Sequence, residues 1–348
     1  MVHRVGIIGG GNISETHVRA AQTVADVQVA AIYGQARERV HRLAESCGAR
    51  AYNDLNAFFD REQLDVVLIG SPSGLHATHG IEAARRGIHV LVEKPLDIST
   101  ARADQLIAEC ERNGVQLGVF FQDRATPDFC RLKEMIERGE LGRLLLASGR
   151  VKWYRPPEYY AHSRWRGTWA LDGGGALINQ AIHTVDLLLW LVGPVARVYA
   201  RHATLLHDIE VEDTLVATLE FASGALGTLE AATSVYPGYP RRVEITGSQG
   251  TVIIEQSSVT AAHLRAGSQS WAANELSSGS ATSPVVADAS GHRRVLEDFL
   301  RAVETGGRPC CDGREGRRSL ELVEALYFAA RTGQPVSLVD RSAQHSAS

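Results

Sequence analysis

The first 120 residues alternate apolar, β-branched runs with amphipathic segments, and this alternation limits the possible folds more than any other feature. The apolar runs are short and continuous, as strands buried on both faces are, and they lie at Val5–Ile8, Val27–Ile32, Val66–Ile69, His89–Val92 and Val115–Phe120. Helical patterns lie between them at Glu15–Val24, Arg37–Cys47, His76–Arg86 and Thr100–Arg112. Repeated βα units of this length predict an α/β fold with a doubly wound parallel sheet.

The pattern changes after Phe121, where strands joined by hairpin-like turns replace the βα units. Strands are predicted at Leu144–Trp153, Val198–Leu205, Thr214–Phe221, Ala225–Thr233, Arg242–Thr246 and Thr251–Glu255. Helices are predicted at Phe129–Glu137, Ala176–Val192, Arg293–Glu304 and Gly316–Thr332. Residues 266–291, rich in Ser, Ala and Gly, predict a surface loop. We expect a Rossmann domain over residues 1–122 and an α+β domain with a large, mainly antiparallel sheet over residues 123–348.

A glycine-rich loop joins the first predicted strand to the first predicted helix. Gly9 allows a tight turn, and Gly11 allows the backbone to approach a pyrophosphate. Asn12 and Ile13 then begin a helix whose N-terminal N–H groups attract an anion. Ser14, at the third position of the motif, is small enough for close helix–strand packing. In this strand–loop–helix context the loop predicts a bound dinucleotide.

The end of the second strand bears on which dinucleotide binds. An acidic residue there would bind the adenosine ribose, but residues 31–36 contain none. Arg37 and Arg39 follow at once, and arginine suits a ribose 2′-phosphate. Both arginines are equally interpreted as solvated residues on a helix. The sequence therefore predicts NAD(P), with a slight preference for NADP.

Composition excludes several classes of protein. A net charge of −4 and a pI near 6.4 give no basic surface for nucleic acid. The only lysines are Lys94, Lys133 and Lys152, so no P-loop motif exists. No apolar run approaches the roughly 18 residues of a membrane span. Five cysteines without a C-x-x-C pair predict neither a disulfide framework nor a metal site. We expect a soluble, cytoplasmic protein.

Four segments in this order carry a family resemblance: Gly9–Ser14, Ser71–His76, Glu93–Leu96 and Gly173–Asp186. The second is similar to a T-P-N-x-x-H stretch, the third matches E-K-P-L, and the fourth is similar to G-G-G-x-L-x-D-x-x-x-H-x-x-D. The chain thus resembles the Gfo/Idh/MocA oxidoreductases, apart from residues 266–291 and the tail. The resemblance implies a nicotinamide-dependent oxidoreductase acting mostly on sugars, cyclitols and their derivatives.

The matching segments also imply cofactor contacts. The resemblance places them at Ser71, Pro72, His76, Glu93 and Lys94. Gln122 follows the last strand of the predicted parallel sheet and is expected to flank the nicotinamide.

Oxidation of a secondary alcohol requires a base and a group that steadies the developing alkoxide. Lys94 follows a parallel strand, at the edge where such sheets bind ligands, and is predicted to hold the reacting oxygen. Asn179, His183 and Asp186 fall at i, i+4 and i+7 of one predicted helix and so share a face. His183 is the predicted proton acceptor, since an unperturbed imidazole has a pKa of about 6.5. A surface lysine and a core histidine are the alternatives, and Asp186 either orients His183 or holds a structural network.

The chain departs from the family pattern at Asn179, where many members carry Asp. Asparagine binds a hydroxyl but cannot ionise, so Lys94 and His183 are left as the predicted acid–base pair, with Asn179 beside them. An aromatic, arginine-rich stretch precedes the glycine run and is predicted to bind substrate through Tyr154, Arg155, Trp165 and Arg166. Packing combined with an oligomer contact explains that stretch equally well.

Two functions remain open on the sequence. One is a sugar or cyclitol dehydrogenase, including the variant that retains its nicotinamide and oxidises one sugar while reducing another. The other is a non-catalytic dinucleotide-binding regulator on the same fold, although such a protein would be free to lose Lys94 and His183. Either way, a homodimer or homotetramer formed through the large sheet is expected.

Overall fold

The structure is a computed structural model that describes residues 2–267, 271 and 288–338. The chain divides by its contacts into two compact units. The first combines Met1–Ala125 with Val285–Arg317, and the second combines Thr126–Pro284 with Arg318–Ser348. The sequence-based division at residue 122 did not foresee that a C-terminal segment belongs to the first unit.

The sheet of the first unit has six parallel strands in the order β3-β2-β1-β4-β5-β6. The strands are β1 (His3–Ile8), β2 (Val27–Tyr33), β3 (Arg50–Tyr52), β4 (Val66–Ile69), β5 (His89–Val92) and β6 (Leu117–Val119). β3 was not predicted, because its three residues contain no buried run. The strand order reverses between β1 and β4, which is where such sheets bind ligands at the carboxyl ends of their strands. The predicted doubly wound sheet is confirmed.

Helices connect these strands, and their ends follow the sequence signals. They are α1 (Asn12–Gln22), α2 (Arg37–Cys47), α3 (Leu55–Asp60), α4 (His76–Ala84) and α5 (Thr100–Arg112). α2 ends at Gly48, which adopts a left-handed φ of +69° that other residues avoid. α3 was not predicted; the Asp54 carboxylate caps it by accepting a hydrogen bond from the Ala57 N–H at 2.7 Å.

The second unit contains an eight-stranded sheet in the order β13-β12-β11-β7-β10-β9-β8-β14. Its strands are β7 (Leu144–Lys152), β8 (Val195–Ala203), β9 (Thr214–Phe221), β10 (Leu226–Ala232), β11 (Arg242–Gly247), β12 (Gly250–Glu255), β13 (Ser258–Leu264) and β14 (Val336–Ser337). All pairs are antiparallel except β7 with β10. β9 buries alternate residues, so one face of the strand is buried and apolar and the other is exposed. The predicted mainly antiparallel sheet is confirmed.

The helices of the second unit include one departure from the prediction. They begin with α6 (Pro127–Glu137), α7 (Glu158–Ala161) and α8 (Ile182–Val192). The single α-helix predicted over Ala176–Val192 is wrong, because Ala176–Ala181 forms a π-helical turn before α8. Such turns occur often at functional sites. In the described part of the chain, no helix is both long and apolar enough to cross a membrane.

Two helices close the chain, α9 (Ser290–Thr305) and α10 (Gly313–Thr332). α9 repeats its apolar residues at helical spacing, and Val295, Leu296, Phe299 and Leu300 join the hydrophobic core of the first unit. Burying each such side chain contributes about 1.5–3 kcal/mol. This burial explains why the segment belongs to the first unit. The loop predicted over residues 266–291 lies mostly outside the described residues, and α9 begins before its predicted end.

Candidate active site

The loop between β1 and α1 has the geometry of a dinucleotide-binding turn. Gly9 has a φ of +140°, and a Cβ there would lie 2.6 Å from Ser14 Oγ and 2.7 Å from the Gly70 carbonyl oxygen. Gly11 precedes α1, which has no side-chain cap, and a Cβ on Gly11 would meet no described atom within 4 Å. The first turn of α1, beginning at Asn12, therefore offers its N–H groups to an anion such as a pyrophosphate. These residues fit the predicted cofactor.

The end of β2 carries neutral groups where a carboxylate would repel a 2′-phosphate. The Tyr33 hydroxyl accepts a hydrogen bond from Gln35 Nε2 at 2.7 Å, and the Gly34 carbonyl lies in a buried turn. Arg37 and Arg39 are exposed on the first turns of α2. Guanidinium groups this open to water contribute little to binding, so the geometry is compatible with both nucleotides.

His76 supports the backbone around the end of β4. Its Nδ1 lies 2.7 Å from the Pro95 carbonyl oxygen and its Nε2 lies 2.9 Å from the Ser71 carbonyl oxygen. Burial lowers the pKa of His76, while its two backbone hydrogen bonds act in the opposite direction. The ring therefore links the turn after β4 to the turn after β5. A direct contact of His76, Ser71 or Pro72 with the cofactor stays a prediction.

The turn after β5 carries Lys94, which is half-buried and joined to Pro95 by a cis peptide bond. Glu93, immediately before it, is buried, and its Oε1 lies 3.0 Å from the Nε2 atoms of both His17 and His292. Burial by itself raises the pKa of Glu93, but hydrogen bonds from the His17 and His292 imidazoles hold it well below its usual range. Lys94 thus follows a firmly held carboxylate.

The histidines around Glu93 were not foreseen from the sequence. His17 lies on α1 and His292 lies on α9, separated from Glu93 by 76 and 199 residues. His292 Nε2 also lies 2.7 Å from Nε2 of Gln122, the residue predicted to flank the nicotinamide. His17 stacks on Phe120, with ring centroids 4.8 Å apart. No local motif identifies these partners, because only the packing of α9 brings His292 to β5.

The glycine run in the second unit is required by close approaches. A Cβ on Gly175 would lie 1.8 Å from the Glu212 carbonyl oxygen, and one on Gly174 would lie 2.1 Å from the Tyr327 hydroxyl. Glu212 is buried, and its carboxylate accepts hydrogen bonds from the N–H groups of Gly175 and Leu177 and from the Tyr327 hydroxyl, at 2.8–2.9 Å. Burial nevertheless raises the pKa of Glu212 to about 7. Glu212 thereby holds the start of the π-helical turn.

Asn179 lies in the π-helical turn, whereas His183 and Asp186 lie on α8. The uninterrupted α-helical face predicted for the three residues is therefore corrected, because a π turn changes the angle between successive side chains. His183 is half-buried. Asp186 is fully buried and accepts a hydrogen bond from Ser319 Oγ at 2.8 Å, which gives it a structural partner on α10.

Asp172 is a buried carboxylate that the sequence reasoning missed. Asn179 Nδ2 donates a short hydrogen bond to Asp172 Oδ1, and Asn179 Oδ1 accepts one from Gln180 Nε2 at 2.9 Å. Asp172 also accepts a hydrogen bond from the Gly167 N–H at 2.9 Å. The carboxylate absent from position 179 is thus present seven residues earlier in the chain. A signal was visible in the acidic residue directly before the glycine run.

Arg155 and Tyr154 lie in packed surroundings. Arg155 is buried, donates a hydrogen bond to Gln180 Oε1 at 2.9 Å and lies 5.0 Å from the centroid of the Trp153 ring. Tyr154 packs edge-on against Tyr236, with ring centroids 5.2 Å apart. Arg155 is therefore connected through Gln180 to Asn179.

Arg166 is more accessible than Arg155. It is half-buried and lies over the ring of Tyr159, with the guanidinium carbon 4.3 Å from the centroid, and 5.4 Å from that of Trp165. Stacking on aromatic faces leaves the edges of a guanidinium available for a planar anion.

The parallel sheet and its glycine loop define a nicotinamide-dinucleotide-binding oxidoreductase. Residues 3–121 match the model of an oxidoreductase family with an NAD-binding Rossmann fold, and residues 129–253 match the GFO/IDH/MocA C-terminal domain. The chain belongs to the Gfo/Idh/MocA family, which confirms the resemblance.

Named relatives align over nearly the whole chain. The WlbA dehydrogenase of Bordetella pertussis, solved in complex with NADH and UDP-GlcNAcA, is 34% identical with a TM-score of 0.85, covering 97% of this chain and 99% of that one. Myo-inositol 2-dehydrogenase of Thermotoga maritima is 27% identical, covering 96% and 98%. D-xylose 1-dehydrogenase (NADP(+)) 2 of Haloferax volcanii is 29% identical, covering 96% and 99%. The chain is thus similar both to a protein solved with NADH and to one named for NADP.

Proposed function

We propose that the protein transfers a hydride between a nicotinamide dinucleotide and a secondary hydroxyl, or the corresponding ketone, of a sugar, sugar derivative or cyclitol. The observation that carries the proposal is the placement of Lys94, half-buried directly after β5 in the unit that holds the Gly9–Gly11 loop. Such a lysine lies at the sheet edge where parallel α/β folds bind ligands. The relatives named for myo-inositol and D-xylose support this substrate class.

Three side chains have proposed roles in the reaction. Lys94 holds and polarises the reacting oxygen, and His183 accepts the hydroxyl proton during oxidation and returns it during reduction. The bound dinucleotide supplies the hydride acceptor. Asn179 binds a substrate hydroxyl, and its amide is oriented by Asp172 and Gln180. Because asparagine carries no charge, the proton change falls on His183 alone.

The proposed substrate carries an acidic group. Arg166 supports this, because its stacked guanidinium offers paired donors that match a carboxylate or phosphate. Trp165 and Tyr154 are proposed to face the sugar ring, and Arg155 to act through Gln180. The similarity to the WlbA dehydrogenase makes UDP-GlcNAcA the first compound to test.

The cofactor is proposed to be NADP or NAD, with a slight preference for NADP. The neutral end of β2 removes the repulsion that a 2′-phosphate would meet, and Arg37 and Arg39 lie next to it in the chain. Gly9, Gly11, Asn12 and Ile13 are proposed to hold the pyrophosphate.

A spectrophotometric assay tests the function directly. NAD⁺ and NADP⁺ reduction at 340 nm is followed with UDP-GlcNAcA, myo-inositol and D-xylose. We expect turnover with at least one of them, and a fall of roughly 10²-fold or more in Lys94→Ala, the scale of a positioned acid–base group. Nucleotide binding should weaken much less, because the Gly9–Ser14 loop is unchanged. Absence of any reduction, including a single turnover on the purified protein, would favour a regulator.

Self-association through the large sheet is also proposed. The outer face of that sheet exposes Leu146, Tyr199, Val216 and Leu226. Exposed apolar side chains grouped on one face mark interaction surfaces. Light scattering of the purified protein distinguishes a monomer from the proposed dimer or tetramer.

A further inference from the structure

Three imidazoles from three different elements surround the turn that carries Lys94. His17 on α1 and His292 on α9 contact the Glu93 carboxylate, each with its Nε2 3.0 Å from Oε1. His76 contacts the Pro95 carbonyl oxygen with its Nδ1 at 2.7 Å. Both neighbours of Lys94 in the chain are therefore held by histidine side chains.

The protonation of these rings follows from their partners. The ionised Glu93 carboxylate only accepts hydrogen bonds, so the Nε2 atoms of His17 and His292 donate to it. An amide nitrogen cannot accept, so the Gln122 amide beside His292 Nε2 is assigned with its oxygen and nitrogen exchanged and accepts from the same N–H. His17 Nδ1 is buried without a hydrogen-bond partner among the described residues, and it lies beside Gly70. Burying an unpaired lone pair at Nδ1 costs less free energy than burying an N–H without an acceptor. His17 is therefore a neutral ring that carries its proton on Nε2. Burial, which lowers the pKa of His17, acts in the same direction.

A metal ion is the alternative occupant of this cluster. Two histidines and a carboxylate form a common zinc-binding set, and the ligand atoms of His17, Glu93 and His292 lie within 4.8 Å of one another. A metal would take the Nε2 lone pair of His17 and leave a buried Nδ1–H facing no acceptor. Metal-bound histidines almost always donate that N–H to a partner. The geometry therefore favours hydrogen bonds over metal ligation.

We propose that His17, His292 and His76 are positioning residues for Lys94, acting through Glu93 and Pro95. Lys94 has a long, flexible stem, so the place of its ammonium depends on how firmly its backbone is held. The Glu93 charge also lies next to it in the chain and favours the protonated ammonium. This inference rests on the proposed role of Lys94 in hydride transfer.

The other titratable groups around the turn belong to the same framework. The buried Asp97 carboxylate accepts hydrogen bonds from the N–H groups of Ala77 and Ile98 and from Arg102 Nε, at 2.7–2.9 Å. Asp97 is thus already paired with an arginine. The test therefore changes the contacts between Glu93 and its two imidazoles and leaves the Asp97–Arg102 pair in place.

His292 is the best residue to change, because it lies far from the glycine loop in the chain. His292→Leu removes the donor, whereas His292→Gln keeps an N–H donor at about the reach of Nε2. Arg293→Ala, an exposed neighbour on α9, is the matched control. The three lysines of the chain give three signals when their side chains are labelled with ¹³C, and Lys94→Arg assigns the signal of Lys94.

We expect His292→Leu to shift the Lys94 pKa, read from this signal, by about half a unit or more. In the assay with whichever of the three compounds the wild type turns over, kcat should fall about tenfold or more while the KM for the nucleotide changes little. His292→Gln should restore both quantities to near wild type, and Arg293→Ala should change neither. If His292→Leu does not fold, His292→Asn, whose shorter amide does not reach Glu93, takes its place in the comparison with His292→Gln.

Three outcomes would overturn the inference. The first is a Lys94 pKa that does not change in folded His292→Leu. The second is an equal change of the Lys94 pKa and of kcat in the leucine and glutamine variants. The third is one zinc ion per chain in the wild type and none in His292→Leu. Failure of the proposed function gives a different result, because the wild type would then reduce neither nucleotide, or Lys94→Ala would retain full turnover. An inactive Lys94→Ala beside a normal His292→Leu would reject the positioning role alone.

Discussion

Glu93 and Glu212 are both buried carboxylates that support a candidate active segment, yet their pKa values shift in opposite directions. Glu93 is held by two imidazoles, and its pKa lies well below its usual range. Glu212 is held by two backbone N–H groups and the Tyr327 hydroxyl, and burial raises its pKa to about 7. The three neutral donors around Glu212 thus counter the rise in pKa caused by burial less than the two imidazole donors around Glu93 do. The chemistry of the donors, rather than their number, decides the ionisation of each carboxylate.

Gly175, beside the π-helical turn, and Gly11, in the dinucleotide loop of the first unit, should respond most differently to alanine. A Cβ on Gly175 would lie 1.8 Å from the Glu212 carbonyl oxygen, so Gly175→Ala should lower the free energy of unfolding by about 3 kcal/mol, at the upper end for overpacking. Gly11→Ala meets no described atom and should change stability little while weakening dinucleotide binding. Urea unfolding and nucleotide titration of both variants test this. Equal loss of stability in the two variants would show that both positions require glycine for packing, which contradicts this comparison.

A carboxylate at position 179 should be harmful in this chain. Asn179→Asp would place a half-buried carboxylate beside the buried Asp172 carboxylate, which raises the pKa of the pair and costs about 1–3 kcal/mol of stability at neutral pH. Because the folded-state pKa is raised, stability should return as pH falls below it. The double variant with Asp172→Asn restores one carboxylate and one amide. Thermal melts at pH 5 and pH 8 should show rescue by the double variant, and a stable Asn179→Asp would exclude the pairing.

The opposite pKa shifts predict different pH dependence for the two glutamates. Folded Glu212, with a pKa of about 7, keeps a proton that the unfolded chain releases from its usual value of 4.5 upward. The free energy of unfolding should therefore fall by about 1–3 kcal/mol as pH rises through that window. Glu212→Gln should remove this fall. The pKa of Glu93 is depressed, so the stability that its ionised form contributes is lost only as pH falls below the usual carboxyl range. Glu93→Gln should therefore change the slope of stability against pH only in that acid range. Urea unfolding from pH 3.5 to pH 8 separates the two variants, and identical profiles would contradict the comparison.

The smallest expected effect concerns the end of β2 and the start of α2, which are predicted to bind the adenosine ribose. NADP should bind at least as tightly as NAD. Arg37→Ala combined with Arg39→Ala should reduce any preference for NADP over NAD by about tenfold at most. Charge-assisted hydrogen bonds contribute about 1.5–3 kcal/mol, and screening by water lowers this for exposed arginines. Calorimetric titration with both nucleotides measures this. Tenfold tighter binding of NAD to the wild type would show that Tyr33 and backbone groups suffice for the ribose.

Sequence reasoning succeeded where a local pattern determines the structure. Five of the six parallel strands, the glycine loop and the left-handed end of α2 at Gly48 follow from residues close together in the chain. β3 and α3 were missed because each is too short to form a periodic pattern. The π-helical turn before α8 was missed because its residues are helix formers, and the hydrogen bonds from Gly175 and Leu177 to Glu212 lie outside the helix.

The sequence by itself determined the doubly wound sheet, the dinucleotide loop and the presence of Lys94, His183 and Asn179, since periodicity and motif spacing act over a few residues. Only the tertiary structure decided what holds those residues. Glu93 meets His292 across 199 positions, and Glu212 meets Leu177 across 35, because packed elements bring them together. Hydrogen bonds between such distant residues depend on the packing of apolar faces, which no local pattern encodes.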